Sequence, residues 1–310
     1  MAKSKLNFKN NIKLSNARHK KTGVFKLRGL PISIKDGKLL LSKDASSLPV
    51  QKRTLGEAKR FLKDPASKTK IKNLYLMYRS VKLKKDGLVF KKNNATYDIT
   101  VINPGFLGEE FVKTIGHAHP NKPQTKTTYP EIYEVIKGKA LFLFQEISPQ
   151  INHSVGHFGK NARIYLIKAG TGEKVIVPPG FGHVSINIGS EPLVLSNIQA
   201  TNFKSDYSFF KKHRGAAYYI TNNRQLITNN KKIKKNIRIN QLNPHKSASF
   251  LLEKNPNYKN QINFKIVKPK KIFKTPLYQA FIKNPEKFDF LKNPEKYRKF
   301  LTPKSLFKLR

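Results

Sequence analysis

From residue 95 onward, apolar residues recur at short intervals between glycine-marked breaks. The segments 97–101 (YDITV), 132–136, 140–145, 164–169, 174–177, 184–188 and 193–198 are each short and rich in Val, Ile, Leu, Phe and Tyr. Asn103-Pro104-Gly105, Gly138, Gly170 to Gly172, and Gly189 stand between them. Short runs at this spacing, bounded by turn residues, predict strands of an antiparallel sandwich or barrel. Upstream, Asp36-Gly37 between apolar runs predicts a hairpin, and Asp86-Gly87 predicts a second one before Leu88-Val89-Phe90 as a strand. Residues 54–63 read as a short helix ending at Asp64-Pro65, and 71–81 (IKNLYLMYRSV) as a strand. Downstream, 208–217 predicts a helical turn and 218–221 a last strand. A theme of Phe, an apolar residue, Lys, Asn and Pro recurs at 281–285 and 290–294, with a similar Phe-Leu-Lys-Asp-Pro at 61–65. It predicts short helical turns stopped by Asx-Pro.

Composition adds three bounds. The chain has 310 residues and 38% hydrophobic content, enough for a β core in one large or two modest domains. It has no cysteine, which excludes disulfides and thiolate ligands. No apolar run approaches the roughly 20 residues that span a bilayer, and residues 1–30 lack the apolar stretch of a secretory signal. The expectation is a cytoplasmic protein with no membrane partner.

The charge divides the chain. Against a total of +44, residues 101–222 carry 13 basic and 8 acidic side chains. Residues 1–100 carry 26 and 6, and residues 223–310 carry 23 and 4. The expected organisation is a basic N-terminal extension (1–60), a barrel domain with its upstream strands (61–222) and a Lys/Asn-rich C-terminal extension (223–310). The basic flanks could form an electrostatic arm for nucleic acid or another anionic surface. Codon bias is the alternative and the favoured one: Lys, Asn, Ile, Phe and Tyr are all abundant. Lysine supplies 51 of the 62 basic residues, where nucleic-acid readers recruit arginine for its bidentate geometry.

The candidate chemistry lies between Thr114 and Gly138 (TIGHAHPNKPQTKTTYPEIYEVIKG). On a strand, residues i and i+2 share a face, so His117 and His119 can aim two imidazoles at one point. With a carboxylate they could hold a divalent transition metal and leave positions open. A second stretch, Gly172 to Asn187 (GEKVIVPPGFGHVSIN), fits Gly, five residues, Pro, one residue, Gly, two residues, His, three residues, Asn at every position. Its Pro-Gly turn places His183 just beyond it. Six residues separate Glu131 from Gly138. These two motifs resemble those of the cupin superfamily, whose four metal ligands match His117, His119, Glu131 and His183. The departure is the polar, proline-rich insert 120–130 between His119 and Glu131, which reads as a loop between paired strands. The implied fold is mainly β: a double-stranded β-helix, or jelly-roll barrel, with basic, partly helical extensions.

A narrower resemblance spans roughly residues 74–220. The order YDIT, Pro-Gly, GxEFVKTxGHxH, YPEIYEVIKG, VPPGFGHVSINIG and DY is similar to the cupin-type glucose-6-phosphate isomerases of archaea. It implies interconversion of glucose 6-phosphate and fructose 6-phosphate at one divalent metal ion, whether iron, manganese, nickel or zinc. By this resemblance Glu131 is the candidate proton shuttle, Thr100, Thr114, Gly116 and Tyr207 are the phosphate binders, and a homodimer is expected. A tightly ligated carboxylate is a poor base, so the residues leave open a proton transfer by Glu131 or a hydride shift between the carbons. Tyr133, two residues after Glu131, shares its face and could bond the sugar's hydroxyls or serve barrel packing. Glu134 points the other way and reads as a solvated charge. Thr114 and Gly116 have the opposite parity to the two histidines, which predicts a bulge at Gly116. The family's phosphate-site histidine is missing from FKSDY, where Lys204 could substitute. His153 and His157, four apart in a polar loop, are a weak second metal pair. The alternatives are another metal cupin acting on a sugar phosphate, or a nucleic-acid or surface-binding protein on a cupin core.

Overall fold

A computed structural model describes residues 24–27, 29–147, 162–222, 237–238, 250–259 and 263–309. Two sheets carry the site. We number their strands β1 (Gln51–Arg53), β2 (Tyr75–Tyr78), β3 (Ala95–Ile102), β4 (Glu131–Lys137), β5 (Lys139–Glu146) and β6 (Arg163–Gly170). They continue as β7 (Lys174–Val177), β8 (Phe181–Asn187), β9 (Leu193–Ala200), β10 (Asn263–Pro269) and β11 (Phe307–Leu309). The first sheet runs in the order β7-β4-β9-β3-β2-β1, and the second in the order β8-β5-β6-β10-β11. All pairings are antiparallel except β6 with β10, which run parallel from Arg163↔Asn263 to Ile167↔Val267. This is the mainly β cupin barrel that the motifs imply.

Alternation decides what lies between the sheets. Tyr133 and Val135 from β4, Leu195 from β9, Phe142 and Phe144 from β5 and Val184 from β8 belong to one buried cluster. The Tyr133 and Phe142 rings meet across the barrel with centroids 5.5 Å apart. Residues of opposite parity on the first sheet (Leu76, Tyr97, Ile99, Ile132, Val194) belong to a second cluster on its outer face. That face is covered by the N-terminal hairpin, through Ile32, Ile34 and Leu39, and by the C-terminal turns, through Leu277, Tyr278, Phe281 and Phe288. A sheet buried on both faces tolerates apolar residues at every position, which is why the runs in β3 and β9 alternate so weakly.

Most predicted elements form where expected. Asp36-Gly37 turns a hairpin between Ser33–Lys35 and Lys38–Leu40. The helix after Thr54 starts with a reciprocal capping box between Thr54 and Glu57, and continues as a 3-10 turn through Lys59–Phe61. Helical turns appear at Ser208–Lys212, Leu277–Lys283, Pro285–Leu291 and Pro294–Tyr297. Two expectations fail: Tyr218–Asn222 is not the last strand, because Phe250–Lys254, Asn263–Pro269 and Phe307–Leu309 follow it and pair with the sheets, and Asp86-Gly87 makes no hairpin, Gly87–Lys92 being a helix. The Asp86 carboxylate accepts a 2.7 Å hydrogen bond from the Tyr278 hydroxyl. Phe90 stacks on Phe281 with centroids 4.9 Å apart. Contacts from nearly 200 residues away thus override a local turn signal. Segment 1–23, most of 229–239, and His19, His153, His157 and His245 lie outside the described residues.

A third sheet joins Ile237–Arg238, Phe250–Lys254, Tyr218–Asn222, Glu110–Phe111 and Phe106–Leu107 in that order. Among the described residues, no helix is long and apolar enough to cross a membrane.

Candidate functional site

The four ligand candidates come from three stretches of chain that tertiary pairing brings together. Glu131 is the first residue of β4, with its side chain on the inner face beside Tyr133. His183 lies on β8, opposite Phe144 of β5. His117 reaches the site through one isolated bridge to His183. The His117 amide donates to the His183 carbonyl at 3.2 Å, and the return bond is 2.9 Å. Ala118 is paired on its other side with Asp206 at 2.9 and 2.8 Å. The His-Ala-His segment is therefore held from both edges although it belongs to no continuous strand.

Gly116 is the break that parity demanded. It has φ of +80°, a left-handed value that disfavours side chains. A Cβ there would stand 2.8 Å from both Phe210 and Val184. The kink lets Thr114 and Gly116 line the same cavity as His117.

Ligand atoms of His117, His119, Glu131 and His183 lie within 4.8 Å of one another. Glu131 Oε2 is 3.2 Å from His183 Nε2 and 3.5 Å from His119 Nε2. His119 Nδ1 bonds the Tyr129 carbonyl at 2.9 Å, which fixes the proton on Nδ1 and turns the Nε2 lone pair inward. His119 Nε2 and Glu131 Oε2 are buried and lack any hydrogen-bond partner. Leaving such groups unpaired is costly, and a divalent cation would satisfy both. The donor set therefore fits the metal that the sequence implied.

The electrostatics point the same way. Burial, reinforced by His183, His119 and Arg79, holds the His117 imidazolium acid well below its ordinary value. Burial also pushes His119 down to about 4, against the pull of Glu131. Both rings are neutral at neutral pH and free to donate a lone pair. Burial opposes ionisation of Glu131, but the neighbouring His183 and His119 rings outweigh it and keep its carboxyl below the usual range. The Tyr133 hydroxyl is 3.1 Å from His183 Nε2. Its acidity is suppressed by burial and by the Glu131 charge, so it stays a phenol that can donate.

The cavity beside these groups is lined by Thr100, Thr114, Gly116, His117, Glu131, Tyr133 and Tyr207, together with Tyr75, Arg79, Asn197 and Gln199. Every phosphate-binding candidate thus lines one cavity with the carboxylate. Thr114 Oγ1 also accepts a 2.9 Å bond from the Ser185 amide. Lys204 is exposed and is not part of this lining. His213 is a helix-end residue, bonded through Nδ1 to the Phe209 carbonyl at 2.9 Å and flanked by the tilted rings of Phe209 and Tyr258. A larger outer cavity of about 510 Å³, between Lys59-Arg60 and the helix Ser208–Lys212, holds cations and no carboxylate or imidazole. The candidate chemistry therefore belongs to the inner one.

Sequence reading missed Arg79, Asn197 and Gln199. A signal for Arg79 existed: Tyr75, Met77 and Arg79 share parity, so an inward strand face ends in an arginine. Asn197 and Gln199 carry the same signal on β9.

The family described as Glucose-6-phosphate isomerase (GPI) matches residues 53–238. Glucose-6-phosphate isomerase of Thermococcus kodakarensis is 32% identical over 122 residues, 39% of this chain and 55% of that protein. The protein of the same name from Thermococcus onnurineus is 32% identical over 139 residues, 45% and 61%. That of Pyrococcus furiosus is 32% identical over 117 residues, 38% and 52%. The matches thus span only about half to three-fifths of those relatives' lengths. Among solved structures, oxalate decarboxylase from Bacillus subtilis is 24% identical with a TM-score of 0.27, covering 42% of this chain and 27% of that one. Oxalate oxidase is 17% identical with a TM-score of 0.27, covering 37% and 46%. The family match takes in more than half of the chain, including every candidate ligand and every phosphate-binding candidate, and on that ground the chain belongs to the glucose-6-phosphate isomerase family.

Proposed function

We propose that this protein is a metal-dependent aldose–ketose isomerase that interconverts glucose 6-phosphate and fructose 6-phosphate. The observation that carries the reading is the convergence of three imidazoles and one carboxylate on a cavity that also holds Thr100, Thr114, Gly116 and Tyr207. His117, His119, Glu131 and His183 would hold the metal, iron, manganese, nickel or zinc. Such an ion orients the substrate and polarises its oxygens when bound.

The rest is the work of side chains. A Glu131 carboxylate oxygen takes the proton from C2 of the open-chain aldose, and the electron pair forms the C1=C2 bond of an enediol as O1 gains a proton. The O2 hydroxyl then loses its proton, and Glu131 returns its own to C1, giving the ketose. General acid–base work of this kind contributes about 10²–10⁴ in rate. The neutral Tyr133 hydroxyl, beside Glu131 and His183, bonds a substrate hydroxyl and holds the reacting carbons against the carboxylate. Thr100, Thr114, Tyr207 and the Gly116 amide face the phosphate. The relatives' names support the substrate, and the homodimer expected by resemblance belongs to this reading.

The test is isomerisation of fructose 6-phosphate by purified protein, stripped with chelator and then restored metal by metal. Activity lost on stripping and regained with one ion is the expected result; activity indifferent to chelator, or none with any ion, refutes the reading. Run in D₂O, transfer through Glu131 leaves deuterium at the transferred position. Its complete absence would point to a hydride shift.

A further inference from the structure

Among the described residues that line the inner cavity, Arg79 is the one permanent cation. It closes the inward row Tyr75, Met77, Arg79, directly after β2 ends at Tyr78. One strong contact holds its guanidinium. Nη1 donates to Asp98 Oδ2 at 2.7 Å. Nε reaches Gln51 at a long 3.5 Å, and the partner of Nη2 is the Met77 sulfur at 3.3 Å, a weak acceptor. A guanidinium has five N–H donors in a planar fork, so two remain uncommitted and two of the three in use have long or weak partners. The side chain keeps 29% of its exposure, while Asp98 keeps 2%.

Asp98 is fixed from several directions. Its Oδ1 accepts from the Ser80 amide at 2.8 Å and from the Thr96 hydroxyl at 2.9 Å, while Oδ2 takes Arg79. Ser80 has φ of +54°, a left-handed conformation for a residue with a side chain. The bend after Arg79 is thus held by the same carboxylate that holds Arg79. Here the donors left over border the cavity with Thr100, Thr114 and Tyr207.

On the isomerase reading, we propose that Arg79 is the specificity-determining residue of this cavity. Its free N–H donors make the charge-assisted contact to the substrate's phosphate, and so set the preference for a phosphorylated over an unphosphorylated sugar. A phosphate dianion matches a planar fork held at one edge, with the hydroxyls and the glycine amide taking its remaining oxygens.

The test compares kcat/KM for fructose 6-phosphate with kcat/KM for fructose in the metal-loaded protein and in Arg79→Gln. A charge-assisted hydrogen bond of ordinary strength predicts that the ratio falls by about 10- to 100-fold. An unchanged ratio overturns the proposal. Removing Arg79 leaves a buried Asp98 unpaired, which can unfold the protein. The Arg79→Gln/Asp98→Asn variant removes both charges and repeats the measurement on a folded chain, with the same ratio deciding. Calorimetric titration with inorganic phosphate separates this proposal from the reading beneath it. Phosphate bound by the wild type and weakened at least 10-fold in the variant supports Arg79 even if no isomerase activity is found. Phosphate bound equally by both, or by neither, overturns it whatever the activity.

Discussion

Glu131 and Glu134 sit on the same strand, and parity sends them to opposite faces. Glu131 points inward and meets imidazoles it cannot fully bond to. Glu134 points outward, where a strand of an exposed sheet would give it to water, and on that ground it reads as solvated. It is instead buried, with Oε1 accepting from Lys174 at 3.0 Å and Oε2 from the Leu277 amide at 2.6 Å. The C-terminal turns were legible locally, but that the helix Leu277–Lys283 packs over Glu134 was not. His183 offers the cleanest test at this scale, because it joins the set from the far sheet. His183→Ala, stripped and reloaded, should retain less than a tenth of the wild-type metal on elemental analysis after desalting, by loss of one of four donors. Metal retained at the wild-type level would remove the ligand assignment.

Capping and pairing set the elements, and their strength depends on what covers them. The helix after Thr54 was legible because its capping box is local: Thr54 and Glu57 satisfy each other within one turn. Asp86-Gly87 was misread because the same dipeptide serves a hairpin or a helix start, and Tyr278 chose. The Lys174–Glu134 pair ties β4 and β7 to the helix Leu277–Lys283. Their side chains are 2% and 10% exposed, so losing one partner strands a buried charge. Lys174→Met should cost about 3 kcal/mol in urea unfolding. Lys174→Met/Glu134→Gln, which removes the second charge yet keeps an acceptor for Leu277, should recover part of that loss. A double variant no more stable than the single one would show that the charge pair is not the cause.

In the whole molecule, the basic flanks are partly structural. β10 extends the second sheet beside β6, and the C-terminal turns seal the first sheet's outer face. The same turns reach the insert 120–130: Lys122 donates to Asn293 and to Glu295 at 2.8 Å each, and Arg298 donates to Thr127 at 3.0 Å. That insert includes Tyr129, whose carbonyl orients His119. A chain ended at residue 262 should lose cooperative thermal unfolding or fail to stay soluble, since it uncovers an apolar sheet face and the edge of β6. A truncated chain that melts with the wild-type midpoint would show that this layer is dispensable. Among the described residues, much of the flanking positive charge is thus carried on segments with a packing role.

The ligand motifs, the strands around them and the kink at Gly116 could be read from the chain, because each rests on spacing. A period of two fixes which side chains share a face, and a glycine that breaks parity marks a bend. Tertiary structure alone decided that Glu134 is buried and that residues 87–92 coil into a helix. Those outcomes depend on which distant segment covers a face, and covering is a property of packed layers that no local periodicity encodes.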